Sequence, residues 1–121
     1  MKYVERIETV FIRVSDLQIS KLWYKEVFGL DIKWEDSNDK CAFCLGETDL
    51  TLIKQKLDIT EDITFNLQTK NISLLREHIV ALNIPVSHIK QWGNLSYISL
   101  KDPDNNKIEV CEFIFEDATP I

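Results

Sequence analysis

Glycine and proline are scarce, with three of each in 121 residues. Few positions can therefore adopt left-handed backbone without strain or break an element outright, so turns fall to Asn, Asp and Ser as well. Histidine is scarcer still. The two present, His78 and His88, argue against a site built on clustered imidazoles. Three cysteines (Cys41, Cys44, Cys111) are too few for a disulfide scaffold. With no apolar signal core near Met1, they are expected to be reduced thiols in the cytoplasm. No apolar run approaches the roughly 20 residues of a membrane-spanning helix. Nor is there an excess of basic residues: Asp and Glu number 20 against 14 Lys and Arg, for a net charge of −6. Such a surface repels phosphate backbones and anionic bilayers, so neither nucleic acid nor membrane is expected as a partner. A phosphate-binding glycine loop, a dinucleotide fingerprint and a Ser-His-Asp order are all missing.

What is present is a normal globular balance, 45% hydrophobic and 28% charged, in a length that suits one domain, residues 1–121. The pattern reads twice, over about 5–56 and 61–115. Ile7–Val14 alternates as a strand. Ser15-Asp-Leu-Gln18 resembles a capping box, and Ile19, Leu22, Trp23 and Val27 follow at helical spacing to Gly29, predicting a helix over Leu17–Phe28. Strands are predicted at Asp31–Glu35, Lys40–Leu45 and Asp49–Lys54. In the second half Ile63, Phe65 and Leu67 alternate, and Asn71 caps a helix over Ile72–Leu82 carrying Ile72, Leu75, Ile79 and Leu82. Strands follow near Val86–Lys90, Leu95–Leu100 and Lys107–Ile114, the last two joined by the turn Asp102-Pro-Asp-Asn-Asn106.

This order, β-α-β-β-β twice, defines an α+β fold. Two mixed sheets are expected to pair into a concave cup, with helices on the outer faces and Leu57–Glu61 as the crossover. Strand alternation turns Val10, Ile12, Val14, Ile63, Phe65, Leu67, Ile108 and Val110 toward the helices. Thr9, Phe11, Arg13, Thr51, Thr64, Asn66, Tyr97, Ser99, Glu109, Cys111 and Phe113 then face the cup. That mixture of aromatic and polar groups suits a small-molecule site.

Two stretches resemble the vicinal oxygen chelate superfamily, which includes glyoxalase I, bleomycin-resistance proteins, fosfomycin-resistance enzymes and extradiol dioxygenases. Ile12-Arg-Val-Ser-Asp-Leu17 followed by Trp23-Tyr-Lys-Glu-Val-Phe-Gly-Leu30 is similar to the family's first strand and aromatic-rich helix. Lys101-Asp-Pro-Asp-Asn-Asn-Lys-Ile-Glu-Val110 is similar to its DPDGNxIEL hairpin. In metal-dependent members of such a family the ligands come from the first and last strands of each module. The resemblance carries those positions to Thr9, Thr51, Asp62 and Glu109. Only Glu109 lies in a well-matched motif. Threonines stand where a His, Gln or Glu is expected, so the metal positions are expected to be vacant and no cofactor is implied, a divalent metal ion being the alternative.

The resemblance also gives Arg13 the place where glyoxalase I proteins hold a substrate carboxylate. A guanidinium fork suits that task, but Arg13 could equally pair internally with Glu109 or Asp62. Arg13 and Glu109 are expected to point into one cavity. Trp34 and Trp92 are placed to stack on a flat ligand or to pack at a rim. Cys41-Ala-Phe-Cys44 has CxxC spacing but lies in a strand, where its thiols face opposite ways, so it reads as two unrelated cysteines. The candidate ligand-binding residues are Arg13, Phe11, Asn66, Trp92, Tyr97 and Phe113.

Three functions fit. The first is a small-molecule binder similar to bleomycin-resistance proteins, the second a divalent-metal-dependent lyase or transferase of the glyoxalase or fosfomycin-resistance type, and the third a module serving a partner protein. The sequence leaves open whether a reaction is catalysed and whether the chain forms a homodimer.

Overall fold

The computed structural model describes residues 2–3, 5–36, 39–55 and 63–113. The chain divides into two compact units, Met1–Ile59 and Thr60–Ile121. No helix among the described residues is long and apolar enough to cross a membrane.

The first unit runs β1 (Thr9–Val14), α1 (Leu17–Phe28), β2 (Ile32–Asp36), β3 (Lys40–Phe43) and β4 (Asp49–Lys54). Its sheet has the order β1-β4-β3-β2, with β1 parallel to β4 and the other pairs antiparallel. Helix α1 packs on one face of this sheet, against β3 and β4. Asp16, in extended backbone, caps it: the Ile19 N–H donates to Asp16 Oδ1 at 3.1 Å. The cap is therefore Asp16 and not Ser15, which shifts Gln18 out of the box position. Gly29, at φ 66, ends the helix in the left-handed region, where a side chain would be strained, and its N–H returns to Lys25 O.

The inward stripe of α1 is Leu17, Ser20, Tyr24 and Val27. Ile19 and Leu22, expected to face inward, are exposed. The tyrosine meets Phe43 of β3 and stacks with Trp23 and Phe28 along the helix. Its bulk selects this face, and the small Ser20 lets the helix lie close to the sheet. The sheet side of this core is Ile12, Val14, Cys41, Phe43, Leu50 and Leu52, all buried.

The second unit repeats the plan: β5 (Ile63–Gln68), α2 (Ile72–Ala81), β6 (Lys90–Trp92), β7 (Leu95–Lys101) and β8 (Lys107–Phe113). Its sheet has the order β5-β8-β7-β6, with β5 parallel to β8. Asn71 caps α2 through Leu74 N–H, and Glu112 Oε1 accepts the Ile72 N–H at 2.8 Å, so two N-terminal donors of α2 are satisfied by side chains. Ile72 and Ile79 are buried, with Leu75 and Leu82 half-buried, as the spacing predicts.

The predicted strand Val86–Lys90 is corrected. Val86 forms a single bridge to Leu100, and regular pairing resumes only at Lys90. Between them the hydroxyl of Ser87 accepts the Ser99 N–H at 2.9 Å, taking a place that a backbone carbonyl would fill. His88 consequently lies outside any strand and is exposed. The crossover Leu57–Glu61 lies outside the described residues.

Candidate functional site

Each sheet has one face under its helix and one face turned away from it. In β1, Ile12 and Val14 are buried toward α1, which turns Thr9, Phe11 and Arg13 the other way. The parallel register pairs Phe11 with Thr51 and Arg13 with Ile53. Thr9 and Thr51 come together on this face. Their hydroxyls are 2.7 Å apart, and Thr9 Oγ1 also donates toward Asp49 O at 3.0 Å. Thr51 is buried, while Phe11 is 57% exposed and Trp34 is 43% exposed. Arg13 Nε donates to Gln55 Oε1 at 3.2 Å. Behind this row Lys33 Nζ meets Asp49 Oδ2 at 2.8 Å, and that carboxylate raises the lysine pKa first by hydrogen bonding and then by its charge.

In the second unit Ile108 and Val110 are buried toward α2, so Glu109 faces away with Asn66 and Ser99, its direct neighbours on β5 and β7. Glu109 is half-buried. One pleat further, Gln68, Cys111, Tyr97 and Lys90 form the next row. Burial holds the Cys111 thiol above its ordinary pKa, and the Glu109 charge adds to that. Trp92 closes the edge strand with 76% of its surface exposed. The side chain of Phe113 and all of Asp62 lie outside the described residues.

Three of the four family metal positions can therefore be placed. In the first unit they are neutral hydroxyls that already satisfy one another. Thiolate, imidazole or carboxylate donors are what a transition-metal site uses, and the pair Thr9–Thr51 supplies none. Glu109 supplies one. Among the described residues no group of three His, Cys, Asp or Glu is assembled for a metal. This half of the ligand set does not fit a catalytic zinc, nickel or iron ion.

The Asp102-Pro-Asp-Asn-Asn106 turn owes its form to one buried carboxylate. Asp102 Oδ1 accepts the N–H groups of Asp104 and Asn106, and Oδ2 accepts Asn106 Nδ2, all at 2.9 Å. Asn105 sits at φ 67, where the resembled motif has glycine. Asparagine is among the few residues that tolerate that backbone. The turn sets the β7–β8 register and thereby aims Glu109.

The model of the Glyoxalase/Bleomycin resistance protein/Dioxygenase superfamily matches residues 6–110. The chain belongs to that superfamily. A curated relative, a virulence protein of Salmonella typhimurium, is 24% identical over 92% of this chain and 86% of its own length. Among solved structures, lactoylglutathione lyase from Agrobacterium tumefaciens superposes with TM-score 0.78 at 21% identity, covering 91% of this chain and 95% of that one. An antibiotic binding protein from Streptomyces does so with TM-score 0.78 at 17% identity, covering 93% and 99%. At these identities the structural likeness establishes the superfamily fold, here as two four-stranded mixed sheets with one helix each.

Missed by sequence reasoning were Asp49, whose ion pair with Lys33 lies behind Thr51, and Ser87, whose hydroxyl replaces a strand carbonyl. The first needs the β1–β4 register to be seen. The second carries no local pattern at all.

Proposed function

We propose that this superfamily member binds a small organic molecule on the sheet faces turned away from its helices, without a complete metal site. The observation that carries this reading is the Thr9–Thr51 hydroxyl pair at 2.7 Å. A pair that satisfies itself offers a metal little, whereas exposed Phe11 and Trp92 offer a ligand the flat apolar surface that aromatic side chains use for stacking. Arg13 is the anchor for an acidic group, with Asn66 and Tyr97 as further polar contacts and Phe113 as a further apolar one. The solved antibiotic binding protein of this fold supports the same reading. The test is a thermal-shift screen of small aromatic acids and antibiotics, repeated with a chelator. Stabilisation that persists with chelator and falls about tenfold or more in affinity in Arg13→Ala is expected. Stabilisation that needs an added divalent metal would overturn the reading.

The second reading, a divalent-metal-dependent lyase or transferase, draws on Glu109, whose half-buried carboxylate faces away from α2. Elemental analysis of protein purified without chelator separates the two, because about one zinc, nickel or iron per chain would favour the enzyme.

A further inference from the structure

The second unit holds an open pocket of about 540 Å³ that none of the residues assigned above lines. It exists because the edge of the sheet is broken. Pro85 has no N–H to pair, Val86 makes its one bridge to Leu100, and β6 begins only at Lys90. The flank of β7 from Ser99 to Lys101 is left uncovered there. Two lysines enter the pocket wall, Lys101 and Lys107, and they are direct partners across β7 and β8. Directly opposed side chains on adjacent strands stand roughly 5 Å apart at Cβ, and like charges so placed repel. Lys107 is half-buried, and among the described residues it makes no hydrogen bond or ion pair. The adjacent carboxylate of Asp102 does not relieve this, since both its oxygens are taken up by the turn. In a chain with six more acidic than basic residues, two ammonium groups side by side at a pocket are a local reversal of sign.

We propose that this pocket is a binding site for the compact anionic group, phosphate or carboxylate, of a small molecule, held between Lys101 and Lys107 with Ser99 as hydroxyl donor. The anion relieves the lysine repulsion, so binding is favoured by what the empty pair costs. Charge-assisted hydrogen bonds to two ammonium groups favour a dianion over a monoanion. The pocket volume falls in the range of small-molecule sites, and the site uses the second unit alone, independent of Arg13.

The experiment is an amide NMR titration of the full chain with inorganic phosphate and, separately, with acetate, each against chloride at constant ionic strength. Saturable shifts are expected at Ser87, Ser99, Lys101 and Lys107, with a dissociation constant on the order of 1–10 mM. Phosphate should bind more tightly than acetate if the natural group is a phosphate, and acetate at least as tightly if it is a carboxylate. Lys107→Gln should weaken binding about tenfold, and Lys101→Gln likewise, while Lys40→Gln, an exposed lysine of the first unit, leaves it unchanged. Lys107→Gln removes a repelled charge and so keeps the fold, which the same spectra report. Shifts that never saturate, or that survive Lys107→Gln undiminished, would overturn the proposal.

Discussion

In the first unit the edge strand β2 pairs with β3 from Ile32 to Asp36, whereas in the second the corresponding edge is one bridge at Val86 and the three residues of β6. The helices differ as well. Helix α1 buries four side chains, among them Tyr24, and α2 buries Ile72 and Ile79 only. One plan has thus been built twice to different standards of packing. The tighter copy carries self-satisfied hydroxyls on its far face. The looser one carries the half-buried Glu109 and the open pocket. A sheet edge without full pairing leaves backbone and side chains available to a ligand, and the second unit is where that availability lies.

The sharpest way to break the comparison is in the helix cores. Tyr24→Ala should cost about 3–5 kcal/mol and Ile79→Ala about 2–4 kcal/mol, measured by urea unfolding. An equal or larger loss at Ile79 would show that the two helices are anchored alike. Next in size is Asp102→Ala. It removes three hydrogen bonds to one buried carboxylate and should cost about 2–4 kcal/mol, with amide shifts spreading from the turn into β8 and Glu109. No change there would mean that the turn does not set the register.

Thr9→Val and Thr51→Val test the hydroxyl pair. Each alone leaves a partly buried oxygen without its partner and should cost about 1–2 kcal/mol, while the double variant recovers part of the loss through coupling. Strict additivity in the cycle would deny the contact. Smaller again is Ser20→Ala. Ser20 Oγ is buried against the sheet with no hydrogen-bond partner, so the alanine variant should gain about 1 kcal/mol, seen as a higher urea midpoint.

The smallest effect is on pH dependence. Burial raises the thiol pKa of Cys41 in one unit and Cys111 in the other above the ordinary 9.0. A folded state that holds its protons more tightly than the unfolded chain loses stability as pH rises. Stability should therefore be full below pH 9 and decline above it, and less steeply in Cys41→Ala and Cys111→Ala when the slopes are compared.

How much of this could be read from the residues differs between the two helices. The stripe Ile72, Leu75, Ile79 and Leu82 is apolar on one side only, and it packs as its spacing says. Helix α1 carries apolar residues on two sides. Spacing alone preferred Ile19 and Leu22, whereas the inward side is marked by a serine and a tyrosine that hydropathy underrates. The helix bounds were legible because Gly29 and Asn71 are strong stop and start signals, yet Ser15 and Asp16 are both good caps and only backbone geometry chooses between them. The broken edge at Val86–Lys90 was invisible, since Val, Ser and Ile alternate there as a continuous strand would. For the site, alternation correctly turned Arg13 and Glu109 away from their helices. The meeting of Thr9 with Thr51 depends on a pairing of strands some forty positions apart, and no local pattern encodes it. Family resemblance supplied those two positions.

That distant pairing has a consequence for the order of events in synthesis. Within each unit the first strand finds its neighbour in the last: Thr9 lies beside Asp49, and Ile63 beside Lys107. The intervals are 49 − 9 = 40 and 107 − 63 = 44 residues. On a translating ribosome, β3 and β4 can pair locally as soon as both have emerged, but β1 must wait with its hydrogen-bonding edge open until β4 is clear of the exit tunnel. The same wait recurs for β5. Closing such intervals costs chain entropy before any contact repays it, so each unit has one late, rate-setting docking step. While that step is pending, the bare flank of β1 or β5 is the surface that chaperones must shield from other nascent chains.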